Sequence, residues 1–229
     1  DQTVFEGAFQ VATQSAMAQP GFLKIEKLAK TYIADKPVFA DVSFTVARGE
    51  FVCIIGHSGC GKTTLLRIIA GFEYPDSGQV LMNQADLLAI PTRTRPVNLM
   101  FQSYALFPHM DVFSNISYGL TNTSLSKEEI SKQTFEIIEK IGLQEHVKKK
   151  PNQLSGGQQQ RVAVARAIVG KPSVLLADEP TGNLDSENAD NVFHLIIKLS
   201  KQHQISSLIV THNLELAKKM DRIISIKDG

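Results

Sequence analysis

Two spacings of apolar residues alternate along the chain. "LKIEKL" at 23–28 and the alternating Val42, Phe44 and Val46 have the two-residue period of half-buried strands, and they predict an N-terminal antiparallel β-layer. Continuous apolar runs, typical of strands that a parallel sheet buries on both faces, follow at 51–55, 173–178 and 207–212. The pattern therefore predicts an α/β fold with a mostly parallel sheet.

Strand signals are absent from about residue 106 to residue 170, where a helical pattern replaces them. In the segment 126–142, Ser126 is followed three residues later by Glu129, which is the spacing of a capping box. Isoleucines then recur on one helical face, and Gly142 ends the segment. We predict that a helical lobe at about 106–170 is inserted into the α/β core.

The two ends of the chain do not continue these patterns. Residues 1–21 are rich in Ala, Gln and small polar residues without a clear period, and we interpret them as a poorly ordered leader or linker. The domain is expected to span 22–229. Asp228 and Gly229 look like a hairpin turn with no returning strand, so we expect a longer parent protein.

Composition excludes several classes of protein. In 229 residues, 43% are hydrophobic, which is sufficient for a buried core, and 24 Lys and Arg against 23 Asp and Glu give no basic excess of the kind that marks nucleic-acid binding. No apolar run approaches the roughly 18 to 20 residues of a membrane span. Cys53 and Cys60 lie in or beside a glycine loop that a disulfide would distort, so we expect free thiols and a cytoplasmic location.

The glycine loop "GHSGCGKTT" at 56–64 has the full pattern of a phosphate-binding loop. It follows a predicted strand and precedes a helix that we expect from about Lys62 to Ala70, which is the context that the motif requires. Its glycines let the backbone approach phosphate oxygens, Lys62 can neutralise their charge, and the hydroxyl of Thr63 can bind Mg²⁺. The sequence therefore predicts a P-loop nucleotide-binding core. Cys60, among backbone amides and beside Lys62, is expected to be a reactive thiolate.

Polar residues at the ends of other predicted strands could complete this site. Asp178 and Glu179 suit a carboxylate in the metal's coordination shell beside one that polarises an attacking water. Gln102 and His212 each follow a strand and could reach the outer phosphate, although either could also be an ordinary loop residue. Two adjacent acids at a strand end are a weak signal alone, and they indicate a nucleotide site only in combination with the phosphate loop.

A second anion-binding pattern occurs at "QLSGGQQQRVAVARA", residues 153–167. Ser155 and the two glycines after it have the features of a helix start that exposes bare backbone N–H groups to a negative ligand. One nucleotide needs only one such cradle, so the second requires an explanation.

These motifs together carry a resemblance to the ATP-binding cassette family, which extends over about residues 22–229. The motifs that occur in the order seen in that family are Tyr32, the loop 56–64, Gln102, "LSGGQ" at 154–158, "VLLADEP" at 174–180, "NLD" at 183–185 and His212. In that family two cassettes pack head to tail, and the "LSGGQ" of one closes over the nucleotide held by the other. The second cradle would then serve the ATP of a partner, in a homodimer or a paired cassette.

The resemblance implies a role for each matching residue. Catalysis would involve Glu179 as general base, His212 at the γ-phosphate and Gln102. Mg²⁺ would be held by Thr63, Gln102 and Asp178. ATP would be contacted by Tyr32 (stacking on adenine, with a surface aromatic as the alternative), Gly56, Ser58, Gly59, Cys60, Gly61, Lys62, Thr63 and Thr64, and from across the dimer by Ser155, Gly156, Gly157, Gln158 and Asp185.

The purpose of ATP hydrolysis is less sharply defined by the sequence. The stretch around Gln102 resembles polyamine importer cassettes and 49–62 resembles nitrate and taurine importers, whereas 178–189 and 210–223 resemble lipoprotein-release and macrolide exporters. Many polyamine cassettes carry a further C-terminal β-domain, which counts against that subtype if the chain is whole. We favour the ATPase of a bacterial importer. An exporter ATPase is the alternative, and a soluble non-transport ATPase is a third hypothesis.

Five aromatic residues between Phe101 and Tyr118 bear on the partner. Aromatic clusters often belong to a core, but a mobile lobe is expected to have little core to fill, so a groove for a helix of a partner protein is an equally good interpretation. The resemblance implies membrane permease subunits, a solute-binding protein for an importer, and a peripheral location at the cytoplasmic face of the bacterial inner membrane.

Overall fold

The structure is a computed structural model that describes residues 22–121 and 123–226. Its strands are β1 (Leu23–Ile33), β2 (Lys36–Val46), β3 (Phe51–Gly56), β4 (Ser77–Met82), β5 (Ala85–Asp86), β6 (Val97–Met100), β7 (Val174–Asp178), β8 (Ser206–Val210) and β9 (Arg222–Ile226). Its α-helices are α1 (Lys62–Ala70), α2 (Val112–Ser117), α3 (Lys127–Lys140), α4 (Gly156–Ile168), α5 (Ser186–Gln202) and α6 (Leu214–Ala217). Short 3₁₀ turns lie at Thr92–Thr94, Tyr118–Leu120, Gln144–His146 and Pro151–Gln153.

A five-stranded parallel sheet with the order β6-β7-β8-β3-β9 forms the centre of the fold. The three inner strands, β7, β8 and β3, are short and mostly buried, as the continuous apolar runs predicted. Because the strands are parallel, the loops after β3, β6, β7 and β8 meet at one edge of the sheet. The polar residues predicted at strand ends lie at the ends of β6, β7 and β8, and the phosphate loop follows β3.

A four-stranded antiparallel sheet with the order β2-β1-β4-β5 covers one face of the parallel sheet. The pairing of β1 with β4 shifts register between Glu26 and Ala29, where Lys27 has a positive φ of 48°. Gly78 faces this irregularity with a φ of 93°, and a Cβ there would lie 2.4 Å from the carbonyl oxygen of Lys27. The close approach of the two strands therefore requires glycine at this position.

Two apolar clusters lie on opposite faces of the parallel sheet, as the alternation along β3 shows. Val52 and Ile54 belong to the cluster that α1 and the antiparallel sheet complete. Phe51 and Cys53 belong to the other cluster, which extends without a break into α2, α3 and α4. The helical lobe and the parallel sheet thus share one core.

This shared core corrects one expectation. The lobe was expected to have little core, but aliphatic residues of its helices, among them Ile116, Ile137 and Ile138, are buried against α4 and the sheet. The aromatic residues of 101–118 remain exposed or half-buried instead, with Tyr118 47% and Phe101 39% exposed. Aliphatic residues fill the lobe, and the aromatics are left at its surface.

Arg95 connects α1 to the segment that precedes β6. Its guanidinium is 7% exposed and donates hydrogen bonds to four backbone carbonyls, two in the last turn of α1 and two in the segment 88–90. The acceptors are the carbonyl oxygens of Ile68, Ile69, Leu88 and Ile90. The side chain thereby satisfies the carbonyl of Ile69 and adds a second hydrogen bond to that of Ile68, at the end of the helix that follows the phosphate loop.

The predicted α/β class, the early antiparallel layer and the inserted helical lobe are confirmed. The helix predicted at 62–70 and the capping box of Ser126 with Glu129 are also present. None of the helices in the described part of the chain has both the length and the apolar composition that crossing a bilayer requires. The interpretations of residues 1–21 and of Asp228 and Gly229 lie outside the described residues.

Candidate nucleotide-binding site

The phosphate loop joins the end of β3 at Gly56 to the start of α1 at Lys62. Gly59 and Gly61 both adopt left-handed conformations, with φ of 86° and 89°. A Cβ on Gly61 would lie 2.7 Å from side-chain atoms of Phe39 and Val38, so glycine is needed there for two independent reasons. The loop ends at the N-terminus of α1, where backbone N–H groups are available to an anion.

The ammonium group of Lys62 lies inside this loop. Its Nζ donates hydrogen bonds to the carbonyl oxygens of Gly56, at 2.7 Å, and of His57. The same atom lies 3.4 Å from Sγ of Cys60. Lys62 is therefore positioned to place its charge against phosphate groups that the loop binds.

Thr63 and Asp178 bring two hard oxygen ligands together. The hydroxyl of Thr63, in the first turn of α1, donates a 2.7 Å hydrogen bond to Oδ2 of Asp178 at the end of β7. Mg²⁺ prefers oxygen ligands and is often held by one or two protein groups together with substrate phosphates. The donor set beside the phosphate loop therefore fits Mg²⁺.

Glu179 occupies a strained position directly after Asp178. Its φ is 47°, a left-handed conformation that costs about 1 kcal/mol or more for a residue with a side chain. Its N–H donates to the carbonyl of Val210 at 2.9 Å, and its Oε1 lies 2.8 Å from Nδ1 of His212. A carboxylate can only accept, so Nδ1 of His212 carries the proton in this contact.

Gln102 follows β6 and lies next to the loop that contains Glu179. Its backbone carbonyl accepts a 3.1 Å hydrogen bond from the side chain of Asn183. Its side-chain nitrogen would be 3.4 Å from a Cβ on Gly182, and Cβ of Glu179 would be 3.5 Å from the same point. Since Glu179 also contacts Val210 and His212 at the end of β8, the ends of β6, β7 and β8 converge on one place.

One cavity of about 570 Å³ opens between these groups. It is lined by Tyr32, Val38, Gly56, Ser58, Gly59, Gly61, Lys62, Thr63, Thr64, Gln102, Asp178, Glu179, Val210 and His212. All the residues that were predicted to act at the chain's own nucleotide line it, except Cys60. Val38 and Val210 were not predicted, because an isolated valine carries no signal of a binding site.

Cys60 differs from its prediction as a reactive thiolate. Its side chain is 6% exposed and packs in the apolar cluster between α1 and the antiparallel sheet. The two flanking left-handed glycines turn the backbone so that the residue between them faces the core. Cys53 is also buried, and burial raises the pKa of its thiol to about 12. Neither thiol is presented to solvent.

Tyr32 lies at the rim of the cavity and is 56% exposed. Its hydroxyl donates to Oε2 of Glu73 at 3.1 Å, and Oε1 of Glu73 lies 3.0 Å from Nζ of Lys30. The hydrogen bond between Lys30 and Glu73 lowers the pKa of the carboxyl and raises the pKa of the amine. The hydroxyl group of Tyr32 is therefore hydrogen-bonded to the ion pair of Lys30 and Glu73.

The second predicted cradle forms the start of α4 and lies outside this cavity. Ser155 is the helix cap, with its Oγ accepting from the N–H of Gln158 and its N–H donating to Oε1 of Gln158. The amide nitrogen of Gln158 also lies 3.0 Å from Nε2 of His146, a contact that the sequence did not indicate. The side chain of Gln158 is thus held at both ends.

Asp185 belongs to the same region as this cradle. It caps α5, and a hydrogen bond from the backbone N–H of Asn188 is the main cause of the lowered pKa of Asp185. The side chain of Asn188 donates to Oδ2 of Asp185 at 2.7 Å, and its Oδ1 would lie 2.9 Å from a Cβ on Gly157. The five residues that were predicted to act across a dimer, at 155–158 and 185, therefore form a second cluster.

A smaller cavity of about 200 Å³ lies between β6, the segment after it and α4. Phe101, Tyr104, Gly119 and Arg166 are among its lining residues. Arg166 donates to the carbonyl oxygens of Ala105 and Tyr104, and burial lowers the pKa of its guanidinium. The side chain fixes the aromatic segment 101–107 to α4.

The phosphate loop and the strand-end residues around it define a P-loop nucleotide-binding protein. Comparison with known families agrees with this class. The sequence model described as ABC transporter matches residues 39–182. The chain therefore belongs to the ABC transporter family. Two dimeric structures of one bacterial ABC transporter cassette, one of them in a post-hydrolysis state with ADP and Pi bound, each align with a TM-score of 0.78 and 33% identity over 90% of this chain and 95% of that chain.

Curated relatives narrow the similarity further. The putrescine transport ATP-binding protein PotG of Escherichia coli (strain K12) is 43% identical over 95% of this chain and 57% of its own length. The spermidine/putrescine import ATP-binding protein PotA of Marinobacter nauticus is 43% identical over 90% of this chain and 56% of its own. The chain thus spans a little over half the length of these relatives. Their names confirm the resemblance to polyamine importers.

Proposed function

We propose that the chain is the ATP-binding and ATP-hydrolysing cassette of a bacterial importer. The observation that carries this proposal is the convergence of Lys62, Thr63, Asp178, Glu179 and His212 around one cavity, in a chain of the ABC transporter family. The polyamine import named in its relatives supports a small polycation as cargo. An exporter ATPase is the second candidate, favoured by the residues of 178–189 and 210–223 alone.

The residues divide the work of hydrolysis. The loop N–H groups and Lys62 bind the phosphates of ATP, and Tyr32 stacks on its base. Thr63, Asp178 and Gln102 would hold Mg²⁺, which would neutralise charge on the outer phosphates. Glu179 accepts a proton from the attacking water, and the hydrogen bond from His212 fixes the carboxylate.

The two clusters support a head-to-tail dimer. Ser155, Gly157 and their neighbours form an anion-binding helix start that lies outside the chain's own phosphate cavity. In a two-fold arrangement the helix start of one chain faces the phosphate loop of the other, so that each ATP is held from both sides. The dimeric state of the similar cassette agrees with this arrangement.

A membrane permease is the proposed partner of this dimer. Phe101 and Tyr104 line the smaller cavity, and together with the exposed Tyr118 they offer an apolar surface to a helix of that permease. A solute-binding protein would deliver the cargo, and the cassette would lie at the cytoplasmic face of the inner membrane. ATP-driven closure of the dimer would then move the permease.

A complementation experiment tests the proposal. Lys62→Ala removes the charge that binds phosphate, and Ser155→Arg blocks closure over the partner's phosphate. Each homodimer should be inactive. In a mixed dimer one site combines both lesions, whereas the other joins an intact phosphate loop to an intact helix start and should hydrolyse ATP in a single turnover.

Differential tags confirm that mixed dimers have formed, and Thr134→Val mixed with wild type serves as the control for subunit exchange. If the helix start acted within its own chain, every site of the mixture would carry one lesion. Phosphate release no greater than that of the separate variants would therefore refute the head-to-tail assignment.

A further inference from the structure

Gln160, on the first half of α4, is a buried polar residue with an incomplete set of hydrogen bonds. Its side chain has 0% exposure. Its amide nitrogen donates to the backbone carbonyl of Pro180, whereas its Oε1 is buried without a partner among the described residues. Only the nitrogen can donate to a carbonyl, so the amide cannot be turned around to relieve the oxygen.

Such a residue adds little to stability. A buried acceptor without a hydrogen bond destabilises the folded state, and an apolar side chain of similar length would avoid this cost but would leave the buried carbonyl of Pro180 without its donor, so the two effects offset each other. Methionine is unbranched and would occupy the same space. A functional role of the amide therefore explains the polar residue at this position better than a role in packing does.

The partner of Gln160 lies directly after the strained residue Glu179. The N–H of Glu179 donates to Val210, and its carbonyl accepts from the N–H of Gly182 at 3.1 Å. The hydrogen bond from Gln160 holds the next carbonyl along, that of Pro180. A left-handed conformation persists only where the surroundings enforce it, and these three hydrogen bonds enforce it here.

We infer that Gln160 is a positioning residue that fixes the direction of the Glu179 carboxylate through the Pro180 carbonyl. This inference rests on the proposed role of Glu179 as general base. The helix that carries Gln160 begins with Ser155, so a shift of α4 on dimer closure would move the anchor of the Glu179 turn as well.

The decisive variant is Gln160→Met, examined alone and together with Glu179→Gln. The rate constant of single-turnover hydrolysis should fall about 10- to 100-fold, because a misplacement of a reacting group by about 1 Å has an effect of that size. The dissociation constant for ATP and the thermal midpoint should change little. In the Glu179→Gln background, Gln160→Met should have no further effect, since the carboxylate it positions is gone.

Thr134→Val is the matched control, because it also removes a buried polar group that bonds a backbone carbonyl on a helix of the lobe. Its rate constant should stay within about twofold of wild type. A single-turnover rate constant counts only ATP-loaded protein, so partial unfolding of Gln160→Met would lower the amplitude and not the rate. Gln160→Leu provides a second apolar replacement of different shape.

The outcomes separate the two levels of the proposal. If Glu179→Gln left hydrolysis unchanged, the proposed role of Glu179 would fail. If Glu179→Gln abolished hydrolysis but both Gln160 variants kept the wild-type rate constant, the positioning role alone would fail. An equal loss from Gln160→Met in both backgrounds would mean that Gln160 acts independently of Glu179, which would also overturn the inference.

Discussion

Replacement of Arg95 by alanine should destabilise the protein strongly and leave ATP binding intact. The substitution removes four hydrogen bonds from a charged group to the carbonyls of Ile68, Ile69, Leu88 and Ile90. It also leaves a hole in a region where the side chain is 7% exposed. The perturbation acts at the C-terminal end of α1, whereas the phosphate loop is at the other end.

The size of the effect follows from these contacts. A hydrogen bond to a charged group contributes about 1.5–3 kcal/mol, and a buried carbonyl left unpaired costs about 1–3 kcal/mol. The terms are not additive, because the carbonyl of Ile68 also accepts from the N–H of Gly71. We expect a loss of about 3–5 kcal/mol in the free energy of unfolding, which is a large share of the roughly 5–15 kcal/mol typical of a domain.

Urea unfolding measures this loss, and titration with a fluorescent ATP analogue at low temperature measures binding by the folded fraction. Arg95→Lys keeps the charge but cannot reproduce the planar fork, so it should lose about half as much stability. The dissociation constant should change by less than about threefold, because α1 separates the two ends by about 1.5 Å per residue. A loss below about 1 kcal/mol for Arg95→Ala would refute the reasoning.

Two further predictions concern the antiparallel sheet and the cysteines. Gly78→Ala should lower the free energy of unfolding by about 2–3 kcal/mol, since its Cβ would meet the backbone of Lys27. Gly49 also has a positive φ but open space around it, so Gly49→Ala should lower it by only about 1 kcal/mol. Equal losses in urea unfolding would contradict the steric argument. A maleimide should label Cys53 and Cys60 slowly in the native protein and rapidly in urea, and fast native labelling of Cys60, located by peptide mass, would show that its burial is wrong.

Local patterns in the sequence were sufficient to predict much of the fold and site. The phosphate loop, the capping box of Ser126 with Glu129 and the buried strands each depend on residues close together in the chain. The polar residues at strand ends could be gathered into one site because parallel strands place their carboxyl ends at a common edge. Topology therefore supplied what spacing alone did not.

The interactions that could not be predicted join residues that are distant in sequence. Nothing near Arg95 indicates that it bonds the end of α1, and the amide of Gln160 gives no sign of its contact with Pro180. The burial of Cys60 follows from the left-handed conformations of Gly59 and Gly61, which turn its side chain away from the cavity. Backbone direction, which composition does not reveal, decided these cases.

The order of strands in the parallel sheet has a consequence for synthesis of the protein. β3 pairs only with β8 and β9 among the described strands. Just before β3, the backbone N–H of Gly49 donates a hydrogen bond to the hydroxyl of Ser206, which is 157 residues away in the chain. While a ribosome makes the intervening residues, β3 has no partner and the lobe helices have no sheet on which to bury their apolar faces. The parallel sheet can therefore be completed only after β8 and β9 have been made. Until then the nascent chain should depend on chaperones that shield its apolar segments.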